Sequence, residues 1–148
     1  DPYVRRIVSF SLGRLKSEKA VEPLIQLLKD EDPDVRRSVA DALGRIKSEK
    51  AVEPLIQLLK NKDPDVRRSV VDALGEIKSE KAVEPLLGLL MDDDFRIKAA
   101  RALGEIIDEI KDSKLNLLNK IVKNDHYAIG FFLHLKTIRY IPDDIIPE

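Results

Sequence analysis

Few residues of this chain have the types and spacing that catalysis requires. The chain has two histidines, His126 and His134, and neither is followed by an acidic residue. It contains no cysteine, no glycine-rich phosphate loop and no GxSxG sequence, so neither a nucleophile nor a phosphate cradle has a recognisable signature. We therefore expect a protein that is not an enzyme and that holds no metal ion or cofactor.

Arginines recur along the chain and could bind phosphate. They are Arg5 and Arg6, Arg36 and Arg37, Arg67 and Arg68, and Arg96 alone. Structural ion pairs are the alternative, because Asp41 and Asp72 lie four residues after Arg37 and Arg68. Four further acidic residues also lie close by; they are Asp32, Asp34, Asp63 and Asp65. The 148-residue chain has a formal net charge of -1 and lacks the basic excess typical of nucleic-acid binders. We expect ion pairs and no nucleic-acid partner.

The elements that carry these residues are copies of one unit. The sequence that begins at Asp32 returns at Asp63 almost unchanged, so the period is 31 residues. Such a period is typical of solenoids, whose units bury their apolar faces by stacking on one another. The predicted units span residues 1–29, 32–60, 63–91 and 92–123, within a single domain of residues 1–148. We expect a capping helix over about residues 126–140 and a tail after it.

Each unit shows two helical patterns separated by a short break. In the first helix, the apolar positions Val35, Val39, Ala42, Leu43 and Ile46 form one stripe. Asp32 is placed to cap this helix and Pro33 to occupy its first position. The second helix is expected from about Lys50 to Lys60, with Ser48 as its cap.

Glycine recurs at one place inside the first helices. The four are Gly13, Gly44, Gly75 and Gly104. Glycine inside a helix costs about 1 kcal/mol relative to alanine. The recurrence predicts that the two helices of a unit cross closely there, where a Cβ would clash, with a flexible hinge as the alternative.

Three motifs characterise the unit: DPDVRR, the sequence Ala42-Leu43-Gly44, and AVEPLI from Ala51 to Ile56. Together they resemble the short HEAT-like repeats of the phycobilisome-lyase type, which are frequent in archaea and bacteria. The resemblance covers about residues 1–123. It implies an all-α, right-handed α-α superhelix whose second helices line a concave binding surface. HEAT-like hydroxylases that hold two irons use His-Glu pairs, and these pairs are absent here.

The second helices should expose one polar stripe each. In the second unit Glu53, Gln57 and Lys60 point away from the predicted core. The same positions in the other units are Glu22, Gln26 and Lys29, then Glu84, Gly88 and Met91, and finally Asn116, Lys120 and Lys123. A solvated polar face without function is the alternative to a groove that binds a partner.

The outer stripe of the first helix is apolar only in the first unit. There Tyr3, Ile7 and Phe10 occupy the positions that Asp34, Ser38 and Asp41 hold in the second unit. This departure indicates either a neighbouring segment that covers the stripe or self-association through the ends of the chain.

These patterns favour one function over its alternative. No apolar run reaches the length of about 20 residues that spans a bilayer, and no apolar leader opens the chain, so we expect a soluble cytoplasmic protein. We predict a non-enzymatic scaffold that binds a protein partner of unknown identity in the concave groove. The alternative is an accessory subunit of a bilin lyase.

Overall fold

In the first three repeats, the first helix begins at an aspartate cap followed by proline, as predicted. The computed structural model describes residues 1–90 and 92–109. Helices α1 (Pro2–Arg14), α3 (Pro33–Ile46) and α5 (Pro64–Ile77) all start at proline. The Asp32 carboxylate accepts hydrogen bonds from the amides of Asp34 (2.9 Å) and Val35 (3.1 Å), which satisfies amides that have no partner within the helix.

In the first three repeats, the second helix is shorter than the sequence predicted. A 3-10 turn precedes it at Glu18–Ala20, Glu49–Ala51 and Glu80–Ala82. The helices are α2 (Val21–Leu27), α4 (Val52–Leu58) and α6 (Val83–Leu89), and α7 (Arg96–Glu109) follows. Regular helix begins at Val52 rather than near Lys50, which leaves Pro54 in the first turn, where its missing N–H costs nothing.

The described residues form helices and turns without a β-strand, and they fall into two compact units. In residues 1–82, α3 packs between α1 and α5, α2 packs on α3, and α4 packs on α5. In the second compact unit, which begins at Val83 and is distinct from the second repeat, α6 packs on α7. The fold class is therefore all-α, with the helical hairpins of an α solenoid.

The apolar stripes of the helices form the core. Val35, Val39, Ala42 and Leu43 are buried, as predicted, and Ile46 is half-buried. In the second helices the buried positions are Val21 and Leu24, Val52 and Leu55, and Val83 and Leu86. In α7 they include Leu103 and Ile106. A hairpin therefore buries its apolar side chains against the next repeat, which a single repeat could not do alone.

The recurring glycines mark a close approach, but the prediction named the wrong partner. A Cβ built on Gly13 would lie 2.7 Å from Ala42 Cα, and one on Gly44 would lie 2.8 Å from Ala73 Cα. Each contact joins the first helices of successive repeats and not the two helices of one repeat. The glycine thus sets the spacing between repeats, because any larger side chain would push the backbones apart.

Candidate binding surface on the second helices

In residues 1–82, the predicted polar stripe is exposed on both second helices. Leu24 and Leu55 face the core and are fully buried. The opposite side chains are exposed, and they are Glu22, Gln26 and Lys29 of the first repeat and Glu53, Gln57 and Lys60 of the second. Because the two repeats have the same sequence here, the stripes present three rows: two glutamates, two glutamines and two lysines.

The lysines of the stripe lie just beyond the helices. Helix α4 ends at Leu58, and Lys60 belongs to the turn after it, where its amide donates to Gln57 O (3.4 Å). Lys29 holds the same place after α2, with its amide 3.3 Å from Gln26 O. The turn therefore fixes the backbone of both lysines just beyond the carboxyl ends of the helices, where positive charge is favourable.

Charged and polar side chains join the second-helix regions of neighbouring repeats. Lys50 Nζ lies 4.0 Å from Glu22 Oε1, between two exposed side chains. Lys81 Nζ lies 3.4 Å from Glu49 Oε1. Exposed pairs of this kind add less than about 1 kcal/mol each, so they bias the orientation of the side chains more than they stabilise the fold.

The prediction that Ser48 caps the second helix was wrong. Ser48 makes no capping hydrogen bond; its buried hydroxyl donates to Glu18 Oε1 of the preceding repeat (2.7 Å). One period later, Ser79 Oγ donates to Glu49 Oε1 (2.8 Å). Sequence reasoning missed this link between repeats, although the recurrence of serine and glutamate at a fixed spacing was visible.

In the third repeat, the described residues of the stripe are Glu84 and Gly88, and both are exposed. A Cβ built on Gly88 would meet no atom within 4 Å, so packing does not require glycine at this position. The remaining predicted groove residues lie outside the described residues, and they are Met91, Asn116, Lys120 and Lys123. The predicted capping helix and both histidines also lie outside the described residues. The groove across all four repeats therefore stays a prediction.

The recurring arginines form structural ion pairs, as expected. Arg37 pairs with Asp34 (3.1 Å), and Arg68 pairs with Asp65 (2.7 Å). Both aspartates lie in the first turn of the helix, three residues before the arginine.

The first arginine of each pair holds the loop between repeats. Arg36 Nη1 donates to the carbonyl oxygens of Asp30 (2.7 Å) and Glu31 (2.9 Å), which lie beyond the end of α2. In the next repeat, Arg67 Nη1 donates to Asn61 O (2.7 Å). These guanidinium groups satisfy backbone carbonyls, which supports structural roles for them.

Arg5 and Asp30 form an ion pair that is largely shielded from water. Arg5 Nη2 donates to Asp30 Oδ1 (2.9 Å), and Arg5 Nε lies 2.7 Å from Oδ2, with the Asp30 side chain only 8% exposed. Asp30 also accepts from the amide of Asp32 (3.0 Å). The hydrogen bond from Arg5 lowers the pKa of Asp30, with smaller help from the Asp32 amide, while burial opposes the shift.

The outer stripe of α1 is exposed, as the sequence predicted. Tyr3, Ile7 and Phe10 all lie at the surface. The guanidinium carbons of Arg14 and Arg45 lie 5.9 Å and 5.2 Å from the centroid of the Phe10 ring, so two cations cover part of that ring.

Neither a metal site nor a membrane span emerges from the part of the chain that the structure describes. Its Asp and Glu side chains form no group of three or more that could bind a metal ion. No helix among these residues is long and apolar enough to cross a membrane.

Comparison with known proteins agrees with this geometry. The chain matches the HEAT repeat family over residues 1–69 and 52–130, and it belongs to that family. A search of curated proteins finds no match. Among solved structures, the crystal structure of an engineered protein is similar, with a TM-score of 0.53 and 22% sequence identity over 87% of this chain and 70% of the other. At that identity the likeness shows the fold alone.

Proposed function

We propose that the protein is a non-enzymatic scaffold that binds a protein partner on the exposed face of its second helices. The observation that carries the proposal is the repetition of the stripe. Glu22, Gln26 and Lys29 recur as Glu53, Gln57 and Lys60, and all six side chains are exposed above buried leucines. A solvated surface needs no such regularity, whereas a partner that contacts several repeats uses the same side chains at each step.

The order of charges along the stripe indicates the chemistry of the partner. The glutamates form one row, the glutamines a middle row and the lysines the opposite row. A polypeptide that lies along these rows would place basic side chains beside the glutamates and acidic side chains beside the lysines. Glutamine amides both donate and accept hydrogen bonds, so the middle row suits the backbone of such a partner.

Gly88 supports a role for the third repeat in the same proposal. Glycine stands there where the first two repeats carry glutamine, and the space around it is open. A larger side chain of the partner would fit at this position, because no atom of the described residues lies within 4 Å of where the Gly88 Cβ would be. Met91, predicted to add a soft apolar contact nearby, belongs to the same proposal.

Affinity capture with two matched variants tests the proposed face. The face variant combines Glu53→Lys with Lys60→Glu, and the control combines Glu31→Lys with Lys62→Glu, which makes the same charge changes at exposed loop positions. Proteins recovered from a lysate of the source cells would be quantified by mass spectrometry. We expect that a partner recovered by the native chain and the control is reduced at least tenfold with the face variant.

Recovery of the same proteins in the same amounts by both variants would contradict the proposal. The bilin-lyase alternative has its own test, because a protein that holds a bilin shifts the absorbance of the pigment. A spectral shift on mixing the chain with free bilin would favour that alternative. None of the described residues favours it at present, since the exposed stripe carries no aromatic side chain.

A further inference from the structure

Three consecutive repeats carry a lysine in a backbone conformation that favours glycine. Among the described residues other than glycine, Lys16 (φ 49°), Lys47 (φ 61°) and Lys78 (φ 62°) are the three with a positive φ. A side chain makes this left-handed conformation costly, whereas glycine adopts it freely. An exposed lysine at the carboxyl end of a helix gains from the helix dipole, but that gain is smaller than the cost of the conformation. Stability alone therefore does not account for a lysine at this place in each repeat.

The backbone of these lysines is held by hydrogen bonds at the end of a first helix. The Lys47 amide donates to Leu43 O (3.0 Å) and Gly44 O (3.1 Å). One period later, the Lys78 amide donates to Leu74 O (3.1 Å). The side chain of each lysine therefore starts from a fixed point of the backbone.

The turns that contain these lysines lie side by side in residues 1–82. The Ser48 hydroxyl of the second turn bonds to Glu18 of the first, and the same bond joins the third turn to the second. Near the ends of the first helices, Gly13 of α1 meets Ala42 of α3. Helices in such contact lie about 8–10 Å apart, so the turns form a row with about that spacing.

The row of turns carries an excess of basic side chains, and we call these lysines the basic edge. Each turn contributes two of them, which are Lys16 and Lys19, Lys47 and Lys50, and Lys78 and Lys81. Glu18 and Glu49, the acidic residues of the first two turns, each accept a hydrogen bond from a serine of the next repeat. Among the described residues, no carboxylate pairs with Lys16 or Lys47, and both side chains are exposed. The edge therefore presents positive charge to an anionic partner.

We infer that the basic edge binds an acidic segment of a polypeptide, at a site separate from the exposed face of the second helices. Carboxylates complement the charge of the edge. The turns, at residues 16–19, 47–50 and 78–81, contain no aromatic side chain on which a nucleic-acid base could stack. Their cations are lysines, which lack the forked geometry with which arginine binds phosphate.

The spacing of the turns suits an extended segment. At about 3.3 Å per residue, two to three residues of an extended chain cover the distance of about 8–10 Å between turns. A segment rich in aspartate or glutamate therefore meets the lysines of each turn in succession.

A fluorescent peptide of about ten glutamates, long enough to cross three turns, is the probe. We expect the full chain to bind it in an anisotropy titration at low ionic strength, with an affinity that falls as salt is added. The edge variant, Lys16→Gly with Lys47→Gly, should bind at least tenfold more weakly. Glycine suits the left-handed conformation, so this variant should be no less stable than the native chain, which melting curves check.

The control variant is Lys62→Ala with Arg101→Ala, which removes the same two charges at exposed positions away from the edge. It should bind the peptide as tightly as the native chain. Equal losses for the control and edge variants would overturn the inference, because the peptide would then respond to net charge alone. A native chain that does not bind the peptide would overturn it as well.

Two further measurements separate the inference from other binding modes. A greater loss of binding with Lys29→Ala and Lys60→Ala than with the edge variant would assign the peptide to the second-helix face and overturn the inference. Tighter binding of a single-stranded oligonucleotide of the same charge would overturn the choice of an acidic polypeptide. The capture test of the second-helix face changes no residue of the basic edge, so the two proposals can fail separately.

Discussion

The hydroxyl of Ser48 donates a 2.7 Å hydrogen bond to Glu18 Oε1, thirty residues earlier in the chain. The same bond joins Ser79 to Glu49. Because Ser48 and Ser79 are buried, each bond fixes one repeat against the next at the turn that precedes a second helix. The spacing of the proposed binding rows depends on these links and on the glycine contacts between first helices.

Removing the Ser48 hydroxyl should destabilise the protein. We expect Ser48→Ala to lower the free energy of unfolding by about 1 kcal/mol, because a partly buried hydrogen bond is lost. Ser17→Ala is the matched control, since Ser17 holds the same place in the first repeat and, like Ser48, makes no capping bond, whereas the Ser48 hydroxyl bonds to Glu18. Urea unfolding of both variants measures the difference, and equal effects would show that the bond to Glu18 contributes nothing.

A side chain at Gly44 should separate two first helices. Gly44→Leu forces atoms into the space of Ala73, where even a Cβ would lie 2.8 Å from backbone, and overpacking costs about 1–3 kcal/mol. We expect the melting temperature to fall by several degrees. Gly88→Leu is the control, because nothing lies within 4 Å of its Cβ position. A similar fall for both variants would mean that the loss does not come from the contact between repeats.

Lys47, the residue that follows α3, has a left-handed backbone conformation with φ 61°. Lys78, which follows α5, has the same conformation with φ 62°. A residue with a Cβ pays about 1–2 kcal/mol for this conformation, whereas glycine does not. Lys47→Gly should therefore raise the melting temperature, while Gln26→Gly, at an exposed position inside α2, should lower it. Calorimetry of the two variants checks the sign; a lower melting temperature for Lys47→Gly would contradict the argument.

The ion pair between Arg5 and Asp30 should make the stability of the protein depend on pH in the acidic range. The pKa of Asp30 lies below its ordinary value of 3.8, so the folded state binds this proton more weakly than the unfolded state. The stabilisation that Asp30 contributes is complete at pH values above 3.8, and it is lost as the pH falls through the lower pKa of the folded state. In the next repeat Asn61 holds the same place and accepts from the Asp63 amide (3.0 Å) without titrating.

Asp30→Asn is the variant that isolates this effect. It should lower the melting temperature at neutral pH, and the difference from the native chain should shrink at pH values below about 3.8, the ordinary value for aspartate. Melting curves recorded from neutral to acid pH follow the difference. A difference that stays constant over that range would remove Asp30 as the source.

The sequence predicted the features that depend on neighbours along the chain. The caps at Asp32 and Asp63 and the buried stripe of α3 follow from local spacing, and the structure confirms them. The partner of Gly44 was wrong because a repeated glycine shows that space is tight without showing which helix fills it. The role of Ser48 was wrong for a similar reason, since Glu18 comes near only once the repeats have stacked.

The candidate surfaces were predicted unevenly. Exposure of Glu53 and Gln57 follows from helical periodicity and is confirmed. Exposure of Val4 and Val8 was missed, because their counterparts Val35 and Val39 are core residues and the pattern is the same. Sequence shows which residues can pack on a neighbour, but burial depends on whether a neighbour lies there.

Site-specific photo-crosslinking tests the proposed binding face most directly. The same photoreactive amino acid is placed either at Gln57, in the middle row of the stripe, or at Arg45, exposed on the first helix of the same repeat. After irradiation in a lysate of the source cells, we predict that a protein partner is linked through position 57 and not through position 45. Linkage through position 45 alone, or equally through both, would contradict binding on the second helices.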